Sequence, residues 1–397
     1  MNRLRNPLSG ASASLKFVLL VGIMSFFADF TYEGSRSMIG QYLAMLGAGA
    51  LVISSVTGFG ELLGYGLRLV SGRAADQTKR YWPISIGGYV VQMSVVPMLA
   101  LARSWQLAAV LIVLERVGKA TRNPPRDAML SHAAKEMGYG WAFGLHEALD
   151  QFGAMFGPLA VALVLAITHG DYKIAFASLA VPAAIMLSLL ALARAQYPRP
   201  QDLEAITAPV SGEGLPRVFW VYLAGAALAG AGFADFPLIA YHFEKAGIVS
   251  GTMVPLFYAT AMALSGVGSL VFGRLFDRIG IGILIPLTVV SAGFAPLVFL
   301  GGFWTGLVGV SLWGIGMGVQ ESIIPAAVAP MVSPERRATA FGLFTGVYGI
   351  AWFVGSVAIG ALFYVSLSAV MAFCVVAELA ALPLLYRVRR ILRAPVS

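Results

Sequence analysis

The chain has 397 residues, of which 58% are hydrophobic and only 12% charged, with a mean hydropathy of +0.81. A water-soluble domain carries about 25% charged residues, so most of this exterior must face lipid. The net charge of +8 does not mark a nucleic-acid binder, because the basic residues are spread along loops, and the single cysteine, Cys374, excludes an internal disulfide.

Apolar runs long enough to cross a bilayer predict twelve helical spans. In the first half they cover residues 16–40, 46–71, 82–102, 105–123, 141–167 and 172–194; in the second, 217–242, 252–272, 281–300, 303–326, 338–361 and 366–386. Arg3 and Arg5 before an apolar stretch mimic a signal peptide, but Asp29, Glu33 and Arg36 belong to an uncleaved first span. Residues 195–216 form the one long polar stretch and are read as a cytoplasmic linker between an N-terminal half, 1–194, and a C-terminal half, 217–397.

Charge placement supports an even span count. With the N-terminus inside, 22 of the 27 Lys and Arg residues fall in the tails, the linker, or the inner ends and loops of spans 2–3, 4–5, 8–9 and 10–11. Arg36, Arg103, Lys173 and Lys245 fall outside, and Arg116 lies in the membrane. Both termini are therefore expected in the cytoplasm, in a multi-pass protein of the inner membrane. The halves also repeat. Phe27-Ala-Asp-Phe30 recurs as Phe233-Ala-Asp-Phe236, Gly72-Arg73 with Asp76 as Gly273-Arg274 with Asp277, and Ala142-Phe-Gly-Leu145 as Ala340-Phe-Gly-Leu343. The offsets, 206, 201 and 198 residues, are nearly constant. Six spans per half make these parallel repeats about an axis along the membrane normal.

Nine acids fall inside the spans: Asp29, Glu33, Glu61, Glu115, Glu147, Asp150, Asp235, Glu321 and Glu378. Each costs a few kcal/mol on insertion scales, so each needs a partner or water. Asp29, Glu33 and Arg36 share one helix stripe, as do Glu61, Tyr65 and Arg68. Glu115 shares a face with Lys119, His146 lies one turn from Asp150, and Asp235 precedes Pro237, where a kink is expected. Glu115 with Arg116 or Lys119, Glu61 with Arg68, and Asp127 with Arg126 or Arg122 are alternative structural ion pairs. His146 is the imidazole expected to be buried; His132, His169 and His242 are expected in outer loops.

Gly273-Arg-Leu-Phe-Asp277-Arg278-Ile-Gly280, its degenerate copy Gly72-Arg-Ala-Ala-Asp76-Gln-Thr-Lys79-Arg80, and Gly153-Ala-Met-Phe-Gly157-Pro158 in span 5 resemble the loop and span 5 motifs of the major facilitator superfamily. The resemblance covers essentially the whole chain. It implies an all-α membrane protein of 12 transmembrane helices in two pseudo-symmetric six-helix bundles, with spans 1, 4, 7 and 10 lining a cavity. It implies a cytoplasmic gate latch at Gly72, Asp76, Arg80, Gly273, Asp277 and Arg278. Gly153, Gly157 and Pro158 match the antiporter-associated packing motif without its trailing Gly-Gly, and Arg116 stands where the family often has a membrane-embedded arginine implicated in proton coupling.

The expected function is secondary active transport by alternating access: proton-coupled efflux of a small cationic or amphipathic solute. The expected pathway comprises Asp29, Glu33, Arg36, Glu61, Glu115, Arg116, His146, Glu147, Asp150, Asp235 and Glu321. Alternatives are export of a divalent metal cation held by Asp29, Glu33, His146, Asp150 and Asp235, proton-coupled uptake of an organic solute, and a transport-dead sensor. No enzyme is expected, since no Ser/His/Asp set in register, H-E-x-x-H or P-loop is present. No cofactor is expected beyond a coupling proton, with sodium as the alternative ion. The expected partners are a small-molecule substrate and the lipid bilayer, with no nucleic acid, and the chain is expected to be a monomer.

Overall fold

A computed structural model describes residues 7–137, 139–198, 215–324, 327–328, 331–332 and 337–393; the side chains of 7–13, 76, 131–144, 270, 277, 322–323, 337–339 and 393 lie outside the description. The described residues are helical with no β-strand. The helices are α1 (Pro7–Met45), α2 (Ala50–Thr78), α3 (Tyr81–Met98), α4 (Trp105–Met137), α5 (Tyr139–Ile167), α6 (Tyr172–Ser178) and α7 (Ala180–Gln196). There follow α8 (Arg217–Gly232), α9 (Phe236–Lys245), α10 (Val254–Ile279), α11 (Leu284–Ala292), α12 (Phe294–Leu300), α13 (Phe303–Gly318), α14 (Arg337–Val365) and α15 (Leu367–Arg393).

Among the described residues, ten helical segments are long and apolar enough to cross a membrane. Two expected spans are not among them. The fourth is α4, whose face carries Glu115, Arg116, Lys119 and Arg122, and the tenth is α13, only 16 residues long before a π-helical turn at Val319–Ile323. Spans 6, 7 and 9 each form as two consecutive helices, α6–α7, α8–α9 and α11–α12.

The chain divides into two compact units. The first comprises Met1–Ser35, Leu67–Ala102 and Val110–Ala208; the second, Arg36–Gly66, Arg103–Ala109 and Pro209–Ser397. In the first, Phe17, Val21, Met24, Tyr89, Met93 and Met186 form a common apolar core. Without a solvent-driven force between helices in lipid, close backbone approach governs packing. Gly88 of α3 and Gly118 of α4 face each other, so that a Cβ on Gly88 would stand 2.7 Å from the Gly118 carbonyl oxygen. Gly153 and Gly157 of α5 abut the carbonyls of Phe26 and Phe30 on α1.

Helix α4 runs on past Pro124-Pro125, where the sequence reading ends the span at 123. Proline at 124 removes the donor that would bind the Ala120 carbonyl. Ser71 of α2 supplies a replacement, its hydroxyl donating to that carbonyl at 2.8 Å. The repaired bond explains the continued helix.

In the second unit, Phe233 stacks on Trp313 with centroids 5.6 Å apart, and Phe236 lies 4.4 Å from Tyr258. The expected kink in span 7 is a full break, Phe233 to Asp235, between α8 and α9. The Trp313 indole donates to the freed Ala234 carbonyl at 2.8 Å, the kind of repair that permits irregular backbone at membrane depth.

Each copy of the repeated loop carries one residue at positive φ. Lys79 has φ 56° and Gly280, 201 residues on, has φ 69°. The backbone adopts positive φ in both copies, although only the second has the glycine suited to it.

Candidate functional site

In the first unit, α1, α3, α4 and α5 meet around a buried polar core. Glu115, Lys119, Arg122 and Arg126 recur at three- and four-residue spacing and so share one face of α4. Arg122 is fully buried and satisfied on three sides. Its Nη2 donates to Asp29 Oδ1 at 3.2 Å, its Nε to Gln92 Oε1 at 2.6 Å, and its Nη1 to the Tyr89 hydroxyl at 3.2 Å. The Gln92 amide passes the chain on, donating to Glu115 Oε1 at 2.6 Å. The other Glu115 oxygen lies 3.6 Å from Arg116 Nε. Arg116 donates to the Tyr32 hydroxyl, and the Lys119 ammonium lies 3.6 Å from the centre of the Tyr32 ring.

Further along the same face, Arg126 Nε donates to Asp127 Oδ1 at 2.9 Å and Nη1 donates to Ser25 Oγ at 3.1 Å. Ser25 also meets His146 Nε2 at 2.8 Å. Asp150 Oδ2 sits 3.9 Å from both Arg126 Nη1 and His146 Nδ1. Stripping two charges of water costs several kcal/mol per ion, and only additional hydrogen bonds make a buried pair tolerable. Gln92, Tyr89 and Ser25 supply those bonds here.

The second unit holds a separate cluster at the α8–α9 break. Asp235, 2% exposed, accepts from Ser356 at 2.8 Å and Thr57 at 3.3 Å on Oδ2, and from the Trp352 indole at 3.1 Å on Oδ1. Arg36 Nη2 donates to Glu61 Oε1 at 3.3 Å and stands 4.0 Å from Asp235 Oδ1. Small residues bring the supporting helices in: Gly40 abuts the Pro237 carbonyl, and Gly58 of α2 lies against Ser356 of α14.

The expected pathway residues therefore fall into two groups. Asp29, Glu115, Arg116, His146 and Asp150 join the first network; Arg36, Glu61 and Asp235 form the second. Glu33 is buried at 6% exposure. Glu147 is exposed and accepts from Gln151 at 3.1 Å, and Glu321 is exposed on the π-helical turn. Glu378 is buried on α15 beside Ser291 of α11. Two of the expected ion pairs form, Glu115 with Arg116 and Asp127 with Arg126.

Of the expected latch, Gly72 lies against Pro124, Arg80 and Arg278 are exposed, and Gly273 has open space where a Cβ would stand. The Asp76 and Asp277 side chains lie outside the described residues, as does that of His132. Gly153, Gly157 and Pro158 are buried on α5. His169 sits in the turn after α5. His242 is not a loop residue: it lies in α9, 3% exposed, its ring 5.1 Å from Phe299.

Sequence reasoning leaves Ser25, Gln92, Arg122 and Arg126 out of the pathway, along with Thr57, Trp352 and Ser356. The α4 stripe is a usable signal for the two arginines. Ser, Thr and Gln in an apolar run carry no such signal, because their partners lie on other helices.

Apolar helices long enough to cross a membrane, with a charged network in each unit, define a multi-pass membrane protein. The sequence model of the Major Facilitator Superfamily matches residues 18–319 and 236–396, and the chain belongs to that superfamily. An uncharacterised protein of Mycobacterium tuberculosis is 38% identical over 385 residues, covering 96% of this chain and 94% of its own. An uncharacterised MFS-type transporter of Methanocaldococcus jannaschii is 28% identical over 371 residues, covering 88% and 89%. Among solved structures, a mutant of the nucleoside transporter NupG superposes with TM-score 0.74 at 14% identity, over 95% of this chain and 100% of its own. A bacterial homologue of the lysosomal transporter Spinster does so with TM-score 0.63 at 15% identity, over 94% and 95%. These two likenesses establish the fold alone.

Proposed function

We propose that this chain is a proton-coupled secondary transporter that exports a small cationic or amphipathic solute across the cytoplasmic membrane by alternating access. The halves 1–194 and 217–397 are the moving parts, and both termini are cytoplasmic. The observation that carries the coupling is a carboxylate set against a buried guanidinium in each unit, Asp29 with Arg122 and Asp235 with Arg36. Separating such a pair in a low-dielectric interior leaves an uncompensated charge, which costs about 3–5 kcal/mol. A proton delivered to the carboxylate dissolves the ion pair and leaves the guanidinium to find water or another carboxylate, so protonation and helix rearrangement are linked. Loss of the proton restores the pair and resets the cycle.

Export is supported by the resemblance of Gly153, Gly157 and Pro158 to the antiporter-associated span 5 motif, here without its trailing Gly-Gly. A cationic cargo is supported by the carboxylates of the first network, which outnumber the guanidinium groups around Asp150. Everted membrane vesicles energised acid-inside provide the test, with a panel of fluorescent lipophilic cations as probes. Accumulation of at least one probe that collapses with the pH gradient is expected. Flux indifferent to the gradient for every probe removes the proton-coupled reading.

A further inference from the structure

His146, Glu147 and Asp150 occupy one turn of α5, and one ligand-type atom of each lies within 4.8 Å of the others. The imidazole is buried at 3% exposure and its orientation is fixed, because Nε2 is engaged by Ser25. Its Nδ1 edge faces Asp150 at 3.9 Å, too far for a hydrogen bond. On the other side, Asp150 Oδ1 is buried without any donor, and so is Oε1 of the adjacent Gln151. Two neighbouring residues of α5 thus each bury an acceptor without a donor, Asp150 Oδ1 and Gln151 Oε1, which is costly unless a donor or a cation meets them.

The charges agree with the geometry. Asp150 interacts electrostatically with Asp29, Glu147, Arg122 and Arg126. With Asp127, which holds Arg126 at 2.8 Å, four carboxylates stand against two guanidinium groups among the described residues. Around Asp150 itself, the described carboxylates outnumber the guanidinium groups. Both cations also have closer partners than Asp150: Arg122 holds Asp29, and Arg126 holds Asp127 and Ser25. Glu147 is exposed at the edge of the cluster.

We propose that His146 Nδ1, Glu147 and Asp150 bind a divalent first-row transition cation, with Ser25 orienting the imidazole. A mixed nitrogen and oxygen donor set of this kind favours zinc or manganese over magnesium, which prefers oxygen and water. Binding at Nδ1 requires the imidazole to carry its proton on Nε2 and donate it to Ser25 Oγ, a common arrangement behind metal-ligating histidines. The site does not depend on the proton-coupled reading, since it is defined by binding rather than flux.

The test is titration of the full-length protein in nanodiscs, any polyhistidine tag removed, with Zn2+, Mn2+ or Mg2+. The expected result is saturable Zn2+ and Mn2+ binding with a raised melting temperature and little response to Mg2+. Pulsed electron spin resonance of bound Mn2+ is expected to show one imidazole nitrogen. His146→Gln and Asp150→Asn abolish the thermal shift, and Ser25→Ala weakens binding about tenfold. Glu147→Gln, on an exposed residue that leaves the core packing alone, weakens binding even if the buried variants fail to fold. Unchanged Zn2+ affinity in Glu147→Gln and Ser25→Ala, no imidazole nitrogen at Mn2+, or equal binding of Mg2+ overturns the proposal.

Discussion

Asp29 on α1 and Arg122 on α4, 93 residues apart in sequence, are joined at 3.2 Å in a site where the arginine is fully buried. Its counterpart in the repeated Phe-Ala-Asp-Phe segment, Asp235, also faces a buried arginine, Arg36, at 4.0 Å. The repeated tetrapeptide thus places a carboxylate beside a guanidinium in each unit.

Removing one member of the first pair strands the other. Arg122→Gln is expected to lower stability by about 3–5 kcal/mol, whereas Asp29→Asn with Arg122→Gln recovers a substantial part of that loss. Unfolding in mild detergent on the two single variants and the double variant measures the coupling. Additive losses would show that the pair is not an energetic unit.

The approach of α5 to α1 depends on missing side chains. Gly157→Val places carbon against the Phe30 carbonyl, a backbone atom that cannot move aside, and is expected to cost at least about 1–3 kcal/mol. Gly66→Ala is the control, since nothing lies within 4 Å of its Cβ position; it is expected to be neutral or stabilising by up to about 1 kcal/mol. Thermal melts of both variants separate packing from helix propensity.

Ser71 is expected to matter more than a hydroxyl in an apolar helix ordinarily does. Ser71→Ala leaves the Ala120 carbonyl without its donor at 2.8 Å, at a cost of about 1–3 kcal/mol. Combining it with Pro124→Ala restores the backbone donor, so the second change is expected to suppress the first. A melt in which Ser71→Ala is silent would contradict this account of α4.

Lys79 holds a positive φ of 56° that its counterpart Gly280 adopts freely. Left-handed backbone costs a side-chain-bearing residue about 1–2 kcal/mol, partly offset by the greater unfolded freedom of glycine. Lys79→Gly is therefore expected to raise stability by about 0.5–1 kcal/mol, and Gly280→Lys to lower it. Equal melting temperatures for wild type and both variants would remove the strain at this turn.

Much of the fold was legible because lipid imposes simple rules: apolar length marks the spans, and the Asp235–Pro237 signal marks the break in span 7. What the one-dimensional pattern hides is repair by a second helix. Pro124-Pro125 reads as a stop, yet Ser71 lets α4 continue. The site was legible as a list of charges more than as a geometry. Asp29 and Arg36 share a stripe on α1, but Arg122 holds the first, while the second turns to Glu61 and Asp235. Nothing in helical spacing ranks a base on another helix above one two turns away. His242 misleads for a related reason: lying near a span end, it reads as loop, but Phe299, Phe243 and Phe363 enclose its ring.

The central claim is that a proton on a buried carboxylate is exchanged for movement of solute. The most direct measurement is proton flux in proteoliposomes carrying an internal pH-sensitive dye, started by adding a solute that the vesicle panel identifies as cargo. Wild-type protein is expected to move protons against the solute, while Asp29→Asn still exchanges labelled for unlabelled solute but moves no protons. Solute-driven proton flux of wild-type size in both Asp29→Asn and Asp235→Asn would contradict the account.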